Sequence, residues 1–207
     1  MPPKTWIRPF QKHLAQDPIF RKLMKHQIVL PKKRKNIVLR LVSSVLAQQL
    51  SISVAKIMYE RFLAYFGGKE PSAEEILKLS VEDIRSIGIS RQKASYVLNV
   101  ASFVVANKLT DKKIHQLSDE EIIELLTEIK GVGRWTVEML LIFTLGREDV
   151  FALDDLGIKK GMLRLFPELS RLSGQELKER MSQLSERWSP YRTYACLYLW
   201  KYQGDWK

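Results

Sequence analysis

Two aspartates, Asp154 and Asp155, follow a tight Gly131-Val132-Gly133 turn by about twenty residues. Each feature has an ordinary use. An Asp pair ahead of an apolar helix starting at Leu156 can supply its N-cap. Two glycines two apart, between apolar helices, make a sharp helix-hairpin-helix turn, because glycine accepts positive φ and lets the backbone come close to another molecule. The helix that opens at Arg134 also presents unpaired N–H groups and a positive dipole end, which suits a phosphate. The hairpin Gly131, Val132, Gly133 and Arg134 is therefore a candidate contact for a nucleic-acid backbone. With that hairpin upstream, the pair also reads as a source of a carboxylate placed for chemistry.

Other chemistries have less support. One cysteine, Cys196, is too few for an internal disulfide or a thiolate-held iron–sulfur cluster, which takes about four thiolates. His13, His26 and His115 lack metal-site spacing, so no metal and no cofactor is expected. Nothing in the 207 residues is long and apolar enough to span a membrane, and the N-terminus has no apolar core of a secretory signal. An intracellular protein is expected: cytoplasm and nucleoid in a bacterium, nucleus in a eukaryote. The net charge is +11, and residues 1–40 hold 11 Lys and Arg against one acid, Asp17. So uneven a basic excess points to a polyanion such as DNA or RNA, with a solubilising basic tail as the alternative. Pro31–Lys35 reads either as a localisation signal or as a DNA-facing turn.

The elements that must hold these residues are all helical. Apolar spacing predicts helices over residues 18–26, 36–50, 51–66, 71–79, 81–87, 90–107, 118–128, 135–145, 156–166, 174–187 and 190–202, with Ile37, Leu41, Val45 and Leu46 on one buried face. Ser51 is placed to cap the helix it opens, and Ser118-Asp119-Glu120-Glu121 is a capping box. Gly146 to Asp155 is irregular. There is no linker, so residues 1–207 are expected to form one unit.

At this point a resemblance becomes specific. GVGRWT followed by VFALDDLGIKK, with SSVLAQQLSISVAKIMYERF (43–62), GISRQKASYVLNVA (88–101) and WSPYRTYACLYLW (188–200), resembles the helix-hairpin-helix base-excision DNA glycosylases, in their 3-methyladenine-DNA glycosylase II branch. The resemblance implies an all-α fold of about ten helices in two lobes with the active-site cleft between them. One lobe would be about 37–147, with the hairpin at 129–135, and the other about 1–36 plus 148–207. It puts the catalytic carboxylate on Asp155, leaving Asp154 as the cap, pocket aromatics on Trp135 and Trp200, with core packing the alternative for Trp200, and the DNA wedge on Gln49 and Leu50. Two further pocket positions fall on Met139 and Leu156, where some members carry aromatics. Leu153 stands where a proline is common. Bifunctional members place a Schiff-base lysine where this chain has Trp135, so a simple hydrolase is implied. A monovalent cation at the hairpin, when DNA is bound, is a further family feature.

The implied reaction suits these groups. Cleaving an N-glycosidic bond builds positive charge on the sugar, which a fixed carboxylate stabilises. A base alkylated at N3 or N7 is already cationic and leaves without a second acid. It is also drawn to an indole face, by about 0.5–2 kcal/mol. The expected partner is duplex DNA carrying 3-methyladenine or 7-methylguanine, flipped out of the stack, with the protein a monomer. Two other functions remain open at this level: a non-catalytic helix-hairpin-helix DNA-binding module, and a bifunctional oxidised-base glycosylase/lyase.

Overall fold

The computed structural model describes residues 8–203, all of whose regular elements are helical. In chain order they are α1 (Pro9–Leu14), α2 (Pro18–Leu23), α3 (Ile37–Ala47), α4 (Ile52–Ala64), α5 (Ala73–Ile76), α6 (Val81–Arg85), α7 (Arg91–Ala106), α8 (Asp111–Gln116), α9 (Asp119–Thr127), α10 (Arg134–Leu140), α11 (Leu156–Leu165), α12 (Gly174–Ser185) and α13 (Arg192–Gln203). A π-helical stretch, Leu141–Leu145, continues α10, and 3₁₀ turns cover Pro167–Arg171 and Glu186–Trp188. Residues 1–7, where the N-terminus was read as carrying no secretory signal, lie outside the described residues. No helix is long and apolar enough to cross a membrane among the described residues.

The chain forms two compact units: Lys32–Leu145, and the described parts of Met1–Pro31 and Gly146–Lys207. In Lys32–Leu145 the central element is α3, which packs on α4, α7 and α10. Its sequence explains that place: Ile37, Leu41, Val45 and Leu46 are buried as expected, and so are Leu39 and Val42. Burial of one such side chain contributes about 1.5–3 kcal/mol. The helix entrance is built from two directions. Asn36, at φ 61°, accepts from the N–H of Leu39, and the Asp111 carboxylate accepts from the N–H groups of Asn36 and Ile37 at 2.8 and 3.0 Å. Ser51 and Ser118 cap α4 and α9 as their sequence contexts indicate, and Ser118 and Glu121 close a full capping box.

Several elements differ from the sequence reading. α1 and α8 are additional; with six residues each, and Phe10 and Leu14 or Ile114 as their buried contacts, they are too short to show a period. α2 stops at Leu23 instead of reaching His26. The predicted helix 135–145 is α-helical only to Leu140, and its π continuation gives the Thr144 carbonyl to the N–H of Arg34 at 2.9 Å. The largely apolar sequence Leu141–Leu145 carries no mark of such a widened turn.

In the other unit α13 lies along α11, and α2 packs on α13. Trp188 fills its core, fully buried, with its ring edge-on to Phe20 and its N–H donated to Asp17 at 2.9 Å. Cys196 is buried as a small core residue. The irregular stretch before α11 is stapled to the start of α13. Asp149 accepts from the Ser189 hydroxyl and from the main chain and guanidinium of Arg192, and Thr193 accepts from the N–H of Val150 and donates to the carbonyl of Arg147.

Candidate active site

The two units carry different sets of candidate residues. In the unit built on α11 and α13 the centre is Asp155, half-buried at the N-terminus of α11. Its Oδ1 accepts from the N–H of Ile158 at 2.9 Å and from the indole N–H of Trp200 at 2.7 Å. The side chain is thus fixed by one bond from its own helix and one from a helix 45 residues further on. Gly157 makes the second bond possible: a Cβ there would lie 2.8 Å from Trp200 Cδ1 and 3.1 Å from Asp155 Oδ1. A Cβ does not sustain a contact closer than about 3.0 Å in a packed protein, so only glycine lets the indole reach the carboxylate.

This corrects one sequence assignment. The cap of α11 is Asp155, whereas Asp154 is exposed and ion-paired with Lys178 on α12. Trp200, read as a pocket wall or core, is 5% exposed and bonded to Asp155. Leu156, next to the carboxylate, is 63% exposed, an unusual position for a leucine beside a buried helix face.

The unit centred on α3 holds the hairpin. Gly131 has φ 103°, and an added Cβ would fall 2.2 Å from Cγ of Tyr96, inside its ring contact. Both backbone conformation and packing therefore demand glycine there. Gly133 is different: as N-cap of α10 it has an ordinary extended backbone, and a Cβ would point into open space. Nothing inside the protein excludes a side chain at Gly133; glycine suits the N-cap and leaves the backbone open to close approach by another molecule. Arg134 and Trp135 are exposed at this helix start, Met139 is half-buried one turn on, and Val132 is buried and anchors the turn. Glu138 is ion-paired with Arg134 at 3.0 Å and 2% exposed, so it is paired rather than solvated.

Gln49 and Leu50 sit at the turn between α3 and α4, both exposed, with Gln49 at φ 58°. Gln48 ties this turn to the hairpin directly, and Asn99 and Lys93 tie the hairpin and the turn, respectively, to α7. Gln48 donates its amide to the Gly131 carbonyl at 3.0 Å, and Asn99 donates to the Lys130 carbonyl at 3.0 Å. Lys93 donates to the carbonyls of Leu46 (3.0 Å) and Gln48, where burial pushes its ammonium below the usual lysine range. Arg91 pairs with Glu82. Lys93 thus turns inward to the end of α3. In the sequence the signal for Gln48 is the doubled Gln of Ala47-Gln48-Gln49.

No group of His, Cys, Asp and Glu able to hold a metal ion occurs among the described residues.

A hairpin with one conformationally required and one outward-open glycine, followed by a helix-capping aspartate, defines a family as well as a site. The HhH-GPD superfamily of base excision DNA repair proteins matches residues 42–190, and this chain belongs to it. It is similar to DNA-3-methyladenine glycosylase 1 of Schizosaccharomyces pombe, 40% identical over 163 residues covering 78% of this chain and 70% of that protein. It is also similar to YfjP of Bacillus subtilis, 33% identical over 167 residues, and there the chain spans 57% of the relative's length. Among solved structures it resembles the S. pombe 3-methyladenine DNA glycosylase in complex with abasic DNA, with TM-score 0.80 and 34% identity, covering 97% of this chain and all of that one.

Proposed function

We propose that this protein is a monofunctional DNA glycosylase that hydrolyses the N-glycosidic bond of alkylated bases, of the 3-methyladenine and 7-methylguanine type, in duplex DNA for base-excision repair. The observation that carries the reading is the Asp155 carboxylate, held by donors from two helices in a chain of this family. Asp155 stabilises the cationic sugar as its bond to the base breaks; the two donors fix its direction beforehand, so no reorganisation is needed in the transition state. Water adds at the sugar carbon, the base leaves with the bonding electrons, and an abasic site remains. A cationic alkylated base needs no protonation to leave, so one carboxylate suffices.

The hairpin Gly131, Val132, Gly133 and Arg134 grips the phosphate backbone through N–H groups at the start of α10. Gln49 and Leu50 fill the gap left by the flipped nucleotide. Among the pocket residues that the family motif gives, Trp135, Met139, Leu156 and Trp200, the exposed indole of Trp135 is suited to a cation–π contact with the base, while Trp200 holds Asp155. The protein acts intracellularly as a monomer and needs no cofactor; a monovalent cation at the hairpin is compatible with the reading. Trp135 stands where a lyase would need an amine, so the strand is left uncut.

Duplexes carrying one defined alkylated base test this. Free base should be released, leaving an abasic strand that breaks only on later treatment with alkali. Direct strand nicking, or a covalent adduct trapped by borohydride, contradicts it and favours a lyase. Binding without any release favours the non-catalytic module.

A further inference from the structure

The longest run of free positive charge in the α3 unit is not at its hairpin. Lys32, Lys33, Arg34 and Lys35 are consecutive and exposed, and no carboxylate among the described residues pairs with them. At the hairpin end Lys130 is exposed and without an ion pair among the described residues, whereas Arg134 is paired with Glu138, Arg91 with Glu82, and Lys93 is turned inward. Two helices measure the separation. The C-terminal end of α3 meets the hairpin through Gln48 and Gly131, while the basic run leads directly into its N-terminal end. Eleven helical residues make about 16 Å. The second ruler is α10 with its π extension, which leaves the hairpin at Gly133 and ends beside the basic run, where Arg34 N–H bonds the Thr144 carbonyl at 2.9 Å. The two helices pack on each other in opposite directions. Hairpin and wedge turn therefore share one end of this unit, and the basic run occupies the other.

Local structure does not account for the charge. The N-terminus of α3 is already satisfied by Asn36 and Asp111, so the lysines complete no cap. Glu70, the nearby acid, is engaged by Arg40. The segment is also not a loose tail, since the Arg34 main chain is bonded to the π turn. A row of four unpaired cations, tethered at Arg34, matches a row of phosphates, whose attraction depends on counterion release and is indifferent to sequence.

We propose that Lys32–Lys35 is a second contact for duplex DNA, taking a segment other than the one gripped by the hairpin, so that the protein can pass directly from one duplex to another. This rests on DNA being the partner, as in the reading above, but not on the chemistry at Asp155. The test follows dissociation of the full-length protein from a fluorescent duplex carrying a stable abasic analogue, while unlabelled undamaged duplex is raised in concentration. The wild-type off-rate should climb with competitor. In the variant with Lys32, Lys33, Arg34 and Lys35 all changed to Ser that dependence should be lost, and Lys33→Glu alone should reduce it. Single-turnover release of 7-methylguanine at saturating protein should remain within about twofold, since an interaction that does not change between ground and transition states leaves the chemical step alone. A wild-type off-rate indifferent to competitor overturns the proposal, as does an undiminished dependence in the fourfold variant. Loss of single-turnover excision with the four charges also overturns it, because the run would then belong to the lesion contact. Should the wild type release no base at all, the glycosylase reading fails while the transfer measurement still stands.

Discussion

Asp155 does two things that a single substitution can separate from its neighbours' roles. Its cap of α11 is worth about 0.5–2 kcal/mol, and its bond from Trp200 orients the carboxylate. Gly157 is the residue on which that orientation depends. Gly157→Ala forces the indole off the carboxylate, with a stability cost of about 1–3 kcal/mol. Its excision rate should fall at least tenfold while DNA affinity is kept, measurable by single-turnover kinetics beside binding anisotropy. Equal rates for mutant and wild type would show that the Trp200 bond has no part in the reaction. Sequence alone indicated Asp155 through its family spacing, but not that Asp154 is the residue paired elsewhere. Either aspartate could reach an N-cap, and the choice is made by Lys178, which a distant helix supplies. Gly157 was invisible for a related reason: its neighbour Trp200 lies 43 positions away.

Between elements, the informative joint is the one linking the α3–α4 turn to the hairpin. Gln48→Ala deletes the donor to the Gly131 carbonyl, so about 1 kcal/mol of stability should go, and binding to lesion-bearing duplex should weaken as wedge and hairpin lose their common frame. Urea unfolding and anisotropy titration measure the two effects; unchanged affinity would mean that the turn is positioned without Gln48. Gly131→Ala is harsher. It places a methyl group in the Tyr96 ring and holds an alanine at φ 103°, so the loss should exceed about 2 kcal/mol. Removing the ring with Tyr96→Ala in the same chain should recover none of the backbone part. Helices long enough to show their period were readable, α3, α4, α7 and α9 among them, as were the caps at Ser51 and Ser118. The short α1 and α8 were not, since one or two buried residues define no face, and the π turn depends on a bond from Arg34 that no local pattern encodes.

Over the whole molecule, charge governs both stability and binding. Asp149 loses solvation on burial, but the hydrogen bonds from Arg192 and Ser189 outweigh that loss and hold its carboxyl below the usual aspartate range. A carboxylate depressed in the folded state stabilises above its unfolded pKa, about 3.9, and that contribution disappears as pH falls through the folded value. Asp149→Asn should therefore lower Tm at pH 7, and the difference from wild type should shrink towards pH 3; a constant difference would mean that the carboxylate's charge is not what matters. The basic excess was legible as a polyanion partner, yet its position at the far end of α3 from the hairpin was not, because composition has no direction. The central claim is that Asp155 is a reacting group and more than a cap. Asparagine caps a helix about as well as aspartate but carries no charge, so Asp155→Asn isolates the two. Single-turnover release of 7-methylguanine from a defined duplex should drop by about 100-fold or more, with Tm and abasic-DNA affinity near wild type. Release at the wild-type rate would contradict the account and leave Asp155 a structural residue.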